Sequence, residues 1–474
     1  MAEYDENGLT FDALMDDPGG KITEAMREGQ ALLRDSDTAQ LLKATGSKMA
    51  DLPDARFPDK RWFQKSYGRE VTDRPDDLMV GDGMFYLTEQ KKLFLDCTGG
   101  HYQMTWGYDH PALQRMVQDS VDRGIVWDNH SNIPAAPVKR LSQRLIELAN
   151  PGADLDELQQ DDSRLNTVLL GCVTGTVACG AAMKMMLKLY ERDKSKDGTP
   201  VFITLDGNYH GSDIFAQHLR GMWNDYFTNV EVVMVQPNDP EEIEQVFSHY
   251  GERVAGFWAE PIMMNREGIV IDPSYFKLVR SLCDHNGALL AFDEIQTGFW
   301  CPEVLYTHRI GVEPDFIILG KGMTAGFHPL AAVLYRGELD VLEKYDAIST
   351  NGGAALAAYI ALGSIELIQQ HADDIDDAGE YYHQQIGLVA EQFPEIIQEC
   401  RGAAHMTAMK FHGREDALGF HKHAIDRGLW LRVHAYHEGH STILTKFALP
   451  MDREIADYTV AAFTEMLEKT PWRE

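Results

Sequence analysis

Residues 288–298 read ALLAFDEIQTG, and residues 315–322 read DFIILGKG. Each segment is a short apolar run that leads into a charged residue, Asp293 in the first and Lys321 in the second. Apolar runs of about four to eight residues without alternation predict strands buried on both faces, as in a parallel sheet covered by helices. Functional groups in such sheets gather at the carboxyl ends of the strands. These two segments therefore predict both a fold class and the position of a site.

The sequence on either side continues the alternation of strands and helices. Strands are predicted at 166–171, 200–205, 231–235, 254–260, 288–293, 315–319 and 330–335, and helices at 177–191, 240–250 and 275–286. After residue 353 the pattern changes to helices at 354–371 and 373–393, a mixed segment from 401, and a last helix near 454–467. This change predicts a second, α+β domain.

Asp293 and Lys321 each have a structural and a functional interpretation. A carboxylate at the end of a buried strand costs free energy unless it meets a cation or several donors. Asp293 alone is therefore most simply a cap bonded to loop amides, and otherwise a partner for a buried cationic ligand atom. A lone lysine at a strand end is usually at the surface, but a desolvated one has a lowered pKa and can form a Schiff base. The occurrence of both residues at neighbouring strand ends favours the functional interpretation.

A third feature is the segment 171–176, which reads GCVTGT and precedes a predicted helix. Free N–H groups at a helix N-terminus suit a phosphate, although Thr174 or Thr176 could equally be an ordinary N-cap. A dinucleotide loop is a further alternative, but the full GxGxxG is missing and no acidic residue follows about 20 positions later. A phosphate site, a strand-end carboxylate and a strand-end lysine match the phosphate, ring nitrogen and aldehyde of pyridoxal phosphate.

The motifs FDEIQTGF at 292–299, DFIILGKGM at 315–323 and GFHPLAAV at 326–333 resemble the class III aminotransferases, pyridoxal-phosphate enzymes of fold type I. The resemblance extends from about residue 96 to the C-terminus. It implies an α/β fold with a mostly parallel, seven-stranded sheet that has helices on both faces, plus a smaller α+β domain. The implied division is an N-terminal helical arm at 1–60, a small domain made of 61–95 and 346–474, and a large cofactor domain at 96–345.

The resemblance also implies roles for individual residues. Lys321 matches the lysine that bonds to the cofactor and moves the proton, and Asp293 matches the carboxylate that keeps the ring nitrogen protonated. The other implied cofactor contacts are Gly175 and Thr176 at the phosphate, Tyr209 on the ring face with His210 beside it, Glu260, Gln296 near the phenolic oxygen, and Thr350 at the phosphate of a neighbouring subunit. The Thr350 match implies a homodimer with active sites at the subunit interface.

Two departures from the family pattern stand out, one at the phosphate site and one near the C-terminus. The segment 174–180 reads TGTVACG, without the acidic positions of the usual Ser-Gly-x-Glu-Ala-Asn-Glu, and 445–450 reads TKFALP, without the usual Arg and double Pro. That Arg bears on carboxylate binding, so Lys446 or Arg432 are predicted to substitute for it. His101 and Tyr102, which match the wall of the substrate pocket, complete the substrate candidates.

Histidines at 434, 437 and 440 have a spacing that could serve a metal ion. Because the segment matches a substrate-proximal loop of the family, we expect a polar loop there and no metal.

The sequence therefore predicts a pyridoxal-phosphate aminotransferase that moves an amino group between an amine or amino acid and a 2-oxo acid, aldehyde or ketone. The alternatives are an aminomutase, a racemase or epimerase, or a decarboxylase on the same scaffold. A NAD(P)-dependent oxidoreductase and a non-catalytic cofactor-binding protein are the alternatives from other classes.

Composition restricts the partners and the compartment. The 474 residues include 43 Lys and Arg against 74 Asp and Glu, for a net charge of −31. This charge opposes binding to nucleic acid or to an anionic membrane surface, and it indicates either simple solubility or adaptation to high salt. The N-terminus lacks the apolar core of a signal peptide, and the six cysteines contain no CxxC pair. We therefore expect a cytoplasmic enzyme of small molecules.

Overall fold

The computed structural model describes residues 9–58, 77–128, 133–193, 196–347, 349–435, 437 and 439–473. The strands in this part of the chain are β1 (Leu78–Asp82), β2 (Phe85–Thr88), β3 (Leu93–Asp96), β4 (Thr167–Cys172), β5 (Val201–Leu205), β6 (Glu231–Val235), β7 (Val254–Ala259), β8 (Ile262–Met263), β9 (Ile269–Val270), β10 (Leu289–Asp293), β11 (Phe316–Leu319), β12 (Ala331–Tyr335), β13 (Ile397–Ala403), β14 (Met406–Phe411), β15 (Leu429–Trp430), β16 (Arg432–His434) and β17 (Thr442–Lys446).

Helices alternate with the strands in the middle of the chain and dominate near its ends. They are α1 (Phe11–Leu14), α2 (Lys21–Asp35), α3 (Thr38–Ala44), α4 (Gly99–Tyr102, a single turn), α5 (Pro111–Asp122), α6 (Ala136–Ala149), α7 (Leu155–Leu158), α8 (Gly175–Arg192), α9 (Ile214–His218), α10 (Pro240–Tyr250), α11 (Pro273–Asn286), α12 (Thr307–Ile310), α13 (Ala355–Gln370), α14 (Ala372–Gln392), α15 (Arg414–Asp426) and α16 (Arg453–Lys469). No helix among the described residues is long and apolar enough to cross a bilayer.

The predicted sheet is confirmed as a seven-stranded sheet in the order β4-β12-β11-β10-β7-β5-β6. Its strands run parallel except for β12, which is antiparallel to both β11 and β4. Alternate residues of the strands face two different hydrophobic clusters: Phe292 packs in one, and Ala291 packs in the other with helix α8. The sheet is therefore covered on both faces, which explains why its strands read as continuous apolar runs.

Local sequence explains where the helices around the sheet begin and end. Asp239 and Asp272 cap helices α10 and α11 with side-chain hydrogen bonds, and each is followed by a proline at the first helical position. Gly287 ends α11 with a φ of 59°, the left-handed conformation that favours glycine. Such signals explain why predicted and observed bounds differ by only a few residues.

A third hydrophobic cluster unites the two ends of the chain. It contains residues of α2, α3 and β1–β3 together with residues of α14–α16 and β13–β17. Strand β15 pairs in parallel with β3, with Leu429 opposite Leu95. The helices predicted as an N-terminal arm therefore pack, through residues such as Leu33 and Leu42, on this chain's own smaller core. The predicted boundary at residues 60 and 61 lies outside the described residues.

Buried charges join the loop after β7 to a four-stranded sheet in the order β13-β14-β17-β16. The carboxylate of Glu267 accepts hydrogen bonds from Lys410 Nζ at 2.7 Å, from Ser441 N at 2.9 Å and from Thr442 Oγ1 at 2.7 Å. Burial raises the pKa of Glu267, but these donors outweigh burial, and the pKa lies below its usual value. The loop that follows Glu260 is therefore anchored ionically to β14 and β17.

We expect Lys410→Met to lower the free energy of unfolding by about 2 kcal/mol, because it removes the ammonium partner of a buried carboxylate and leaves only the Arg401 guanidinium, at 3.6 Å. The pKa of Glu267 is lowered in the folded state, so its contribution is present above the unfolded pKa of 4.5 and is lost as the pH falls through the folded pKa. Urea denaturation at pH 7.5, followed by tryptophan fluorescence, measures the change. Lys422→Met, at an exposed position of α15, is the matched control, and equal effects of the two substitutions would contradict the anchor.

Candidate active site

The carboxyl ends of β4, β10 and β11 surround a cavity of about 330 Å³. Its lining comes from the loops after these strands, from the loop after β5 and from Gln103 after α4, and consists of Gln103, Val173, Thr174, Gly175, Thr176, Tyr209, His210, Gly211, Ile295, Gln296, Lys321, Thr324, Gly326, His328, Pro329 and Leu330. The cavity therefore gathers most of the predicted cofactor contacts. This is the location that a parallel sheet favours for a ligand.

Lys321 follows β11 after one glycine and has a φ of 37°. Burial lowers the pKa of its ammonium, and the charge of Arg432 lowers it further, although Asp293 and Glu260 oppose the change. Within the described part of the chain, Lys321 forms no ion pair. A buried lysine with a lowered pKa can be a nucleophile and a proton acceptor near neutral pH.

Asp293 ends β10 and is buried against His210. The Oδ2 atom of Asp293 lies 2.7 Å from His210 Nδ1, and its Oδ1 accepts a hydrogen bond from the Ile295 amide at 3.0 Å. The thiol of Cys179 also contacts Oδ2, at 3.7 Å. The carboxylate therefore caps its loop, as the simpler interpretation predicts, and its pairing with a cationic ligand atom stays a prediction.

Glu260 connects two walls of the cavity. Its Oε2 accepts a hydrogen bond from the Tyr209 amide at 2.7 Å, and its Oε1 accepts one from Gln296 Nε2 at 3.0 Å. Burial raises the pKa of Glu260 to about 7, while the neighbouring His210 counteracts this effect. The ring of Tyr209, in turn, lies 5.2 Å from the guanidinium of Arg220, a cation–π distance. Glu260 therefore fixes the positions of Tyr209 and Gln296.

The helix α8 begins at Gly175, directly at the cavity, and Thr174 makes no side-chain capping bond there. A β-carbon at Gly175 would collide with Ile295, and one at Gly211, whose φ is 128°, would collide with Thr176. Only glycine lets these three segments meet, and the first N–H groups of α8 remain available for an anion. Thr350 is exposed and lies outside the cavity of this chain.

The four substrate candidates contact one another, but none of them is among the residues that line this cavity. Nη1 of Arg432 donates to Nδ1 of His101 at 2.7 Å. Lys446 is fully buried, with its Nζ 5.2 Å from the ring centroid of Tyr102 and bonded to the carbonyl oxygen of Gln296. Burial lowers the pKa of Lys446 well below its usual value, and the role of these four residues toward a substrate stays a prediction.

The histidine-rich segment contributes, through His440, to the contact made by the loop that contains Glu267. His440 accepts a hydrogen bond from Arg266 at 2.9 Å, and Arg266 also pairs with Asp206. Among the described residues, no group of three His, Cys, Asp or Glu side chains has the arrangement of a metal site.

This combination of sheet, helix N-terminus, strand-end carboxylate and strand-end lysine is that of a pyridoxal-phosphate enzyme. A family model described as "Aminotransferase class-III" matches residues 69–467. The chain belongs to the class III aminotransferase family.

Similar proteins carry aminotransferase names. The chain is 27% identical over 363 residues to acetylornithine aminotransferase of Methanosarcina acetivorans, covering 73% of this chain and 82% of that protein. It is 25% identical over 340 residues to mitochondrial ornithine aminotransferase of Oryza sativa subsp. japonica, covering 69% and 68%. A solved transaminase from the marine bacterium Virgibacillus superposes with a TM-score of 0.75 at 18% identity, covering 88% of this chain and 98% of that one. The ornithine aminotransferase of Toxoplasma gondii gives a TM-score of 0.73 at 21% identity, covering 88% and 94%.

The predicted fold type I and the predicted aminotransferase activity are confirmed, and the enzyme depends on pyridoxal phosphate. The residues present fit this cofactor. Nε2 of His210 and Oε1 of Gln296, two residues of the cavity lining, are buried without a hydrogen-bond partner among the described residues.

Two polar residues near the site were not predicted from the sequence. Cys179 occupies the Asn position of the family motif, so the departure at 174–180 marked this position as unusual. Its contact with Asp293 could not be inferred from the motif. Arg220 belongs to no recognisable motif. Its contact with Tyr209 could not be predicted, because it depends on the turn after α9.

We expect Glu260→Gln to remove a pH dependence of stability. The folded protein binds more protons than the unfolded chain between the unfolded pKa of 4.5 and the folded pKa of about 7. The free energy of unfolding of the wild type should therefore fall, relative to the variant, by roughly 2–3 kcal/mol between pH 5 and pH 8. Urea denaturation of the cofactor-free proteins measures this, with exposed Glu244→Gln as the control. A constant difference between wild type and Glu260→Gln across this range would contradict the raised pKa.

Proposed function

We propose that Lys321 and Asp293 are the catalytic residues of this aminotransferase and that the enzyme is a homodimer. The observation that carries the proposal is a lysine in a cavity that a helix N-terminus also faces, with Asp293, at the end of the adjacent strand, 2.7 Å from His210 of the cavity lining. The substrates are an amine or amino acid and a carbonyl compound. The relatives named for acetylornithine and ornithine support an amino acid as one of them.

Residues in and around the cavity would hold the cofactor. Gly175 and Thr176 would hold the phosphate with helix N-terminal N–H groups and a hydroxyl. Tyr209, whose backbone amide Glu260 binds, would contact the ring, and Gln296 would bind the phenolic oxygen. Asp293, oriented by His210, would keep the proton on the ring nitrogen because a buried carboxylate favours a cation beside it.

When bound, pyridoxal phosphate supplies an electron-withdrawing ring that stabilises negative charge on the carbon next to the substrate nitrogen. Lys321 supplies the proton transfer. Burial lowers the pKa of Lys321 and so favours its neutral amine. Nζ can then accept the proton from that carbon and, as an ammonium, return it. Burial in the cavity keeps water from competing for this proton.

Exposed apolar residues support the homodimer. Trp223 is 44% exposed, Tyr226 is 78% exposed and Tyr345 is 67% exposed, and large exposed aromatic groups mark interfaces. Thr350 follows Tyr345 closely in the sequence, so in the dimer we assign its hydroxyl to the phosphate held by the neighbouring subunit.

The division into an arm at 1–60, a small domain at 61–95 and 346–474 and a large domain at 96–345 is part of the same proposal. The pairing of β15 with β3 supports the two-segment small domain. All six cysteines are free thiols, which supports a cytoplasmic location.

Lys321→Ala should reduce turnover by at least about a thousandfold, because it removes both the covalent anchor and the proton carrier. The purified variant should also lack the borohydride-reducible chromophore. Exposed Lys277→Ala is the matched control. Turnover by Lys321→Ala at the wild-type rate would exclude Lys321 from catalysis.

Thr350→Val should weaken cofactor affinity about tenfold, because one charge-assisted hydrogen bond to the phosphate is lost without a change in volume. Absorbance titration with the cofactor and analytical ultracentrifugation measure affinity and assembly. A dimer with wild-type affinity would exclude the role of Thr350, and a monomer at working concentration would exclude the homodimer.

A further inference from the structure

The carboxylate of Asp293 has three donors, which are distributed unevenly between its two oxygens. Oδ1 accepts one hydrogen bond, from the amide of Ile295 at 3.0 Å. Oδ2 contacts two side chains, with His210 Nδ1 at 2.7 Å and Sγ of Cys179 at 3.7 Å. Each carboxylate oxygen offers two lone pairs, so the contacts of the described residues saturate Oδ2 and leave a place on Oδ1 for one further donor.

Helix α8 places Cys179 one turn from the cavity. Gly175, the first residue of the helix, lines the cavity, and Cys179 follows four residues later on the same face. Cys179 is 1% exposed and belongs to the same hydrophobic cluster as Ala291 and Ile295, which lie on either side of Asp293 in the chain. The thiol therefore reaches Asp293 from the helix whose N-terminus faces the cavity.

The thiol of Cys179 stays protonated and is therefore a donor. Burial raises its pKa well above the usual value, and the negative charge of Asp293 raises it further. A thiol is a weak donor compared with an amide or an ammonium. It can therefore orient the carboxylate while leaving most of its negative charge available to a cation. An amide, which the family motif has at this position, would neutralise more of that charge.

Two donors on one oxygen restrict the rotation of the carboxylate. A partial rotation about the Cβ–Cγ bond of Asp293 would lengthen the contacts with His210 and Cys179 together. The side chain of His210 is itself fully buried, and its ring lies 5.7 Å from that of Trp258. The plane of the carboxylate is thus fixed before a ligand binds, and such preorganisation is what makes a buried electrostatic contact effective.

Burial alone does not distinguish Cys179 from other thiols of the chain. A buried thiol is usually a small apolar residue, and Cys283 in α11 is 0% exposed in a different hydrophobic cluster. Cys179 differs because its Sγ contacts the carboxylate that the proposed function assigns to the cofactor. Cys283 therefore provides the comparison for a thiol that is removed from a buried position of a helix.

We propose that Cys179 is a positioning residue for the cofactor, which with His210 holds one oxygen of Asp293 so that the other, Oδ1, faces the ring nitrogen. This inference rests on the proposed role of Asp293. The thiol acts through Asp293, and no bond to sulfur forms or breaks. Its contribution is to fix the orientation of the carboxylate while preserving the negative charge.

Binding of two cofactors isolates the contact with the ring nitrogen. The cofactor-free enzyme is titrated with pyridoxal phosphate and with the analogue in which a C–H group replaces the ring nitrogen, and absorbance gives the two dissociation constants. Cys179→Ala should weaken binding of pyridoxal phosphate about 3- to 10-fold. It should leave binding of the analogue within about twofold, because only the natural cofactor needs an oriented Asp293.

Cys283→Ala is the matched control and should leave both dissociation constants within about twofold. An equal loss of affinity for both compounds in Cys179→Ala would reduce Cys179 to a packing residue and overturn the proposal, as would the absence of any loss. Equal affinity of the wild type for both compounds would instead overturn the role of Asp293 in the proposed function.

The contact between the thiol and the carboxylate can be measured without the cofactor. The difference infrared spectrum between the wild type and Cys179→Ala isolates the S–H stretching band of Cys179. In the Asp293→Asn background this band should move to higher frequency, because a neutral amide oxygen is a weaker acceptor than a carboxylate. The band of Cys283, isolated in the same way, should not move. A Cys179 band at the same frequency in both backgrounds would overturn the contact.

A conservative substitution separates the hydrogen bond from the volume of the side chain. Cys179→Ser retains a donor in a similar volume, so it should bind pyridoxal phosphate within about threefold of the wild type and retain the preference over the nitrogen-free analogue. A loss of this preference as complete as in Cys179→Ala would overturn the role of the hydrogen bond.

Discussion

The structure depends on a carboxylate that is buried where a strand of the sheet ends. Asp293 cannot remain charged there without compensation, because desolvation of an isolated carboxylate is costly. His210 and the Ile295 amide provide that compensation. Since His210 comes from the loop after β5, the need to satisfy one carboxylate brings two distant parts of the chain together. Glu260 repeats this arrangement one strand away by joining Tyr209 to Gln296.

A second constraint comes from the charge of the chain. The chain carries a net charge of −31, yet the enzyme must bind the phosphate of its cofactor. The conflict is resolved locally, by the N–H groups at the start of α8. Overall charge therefore says little about the potential inside the cavity.

Much of the fold could be predicted from the sequence, because its signals were local. The strand at 231–235 and the helix at 240–250 agree with β6 and α10 to the residue, since apolar runs, an N-cap Asp and a following proline suffice to define them. Strand-end residues such as Asp293 and Lys321 could be recognised for the same reason. Asp96 closes an apolar run in the same way as Asp293, but its hydrogen bonds with the Thr98 and Gly100 amides were not predicted. These bonds hold α4, whose four residues all have positive φ. Neither hydrophobic periodicity nor residue spacing encodes such a turn.

The parallel pairing of β3 with β15 has a consequence for biosynthesis. Leu95 leaves the ribosome about 330 residues before its partner Leu429, so β3 waits for most of translation with one edge uncovered. The large sheet, whose strands are close together in sequence, can fold first during this interval. Release of an active enzyme is thus delayed until the last part of the chain has been made, and a truncated product would expose the β3 edge to aggregation or to chaperones.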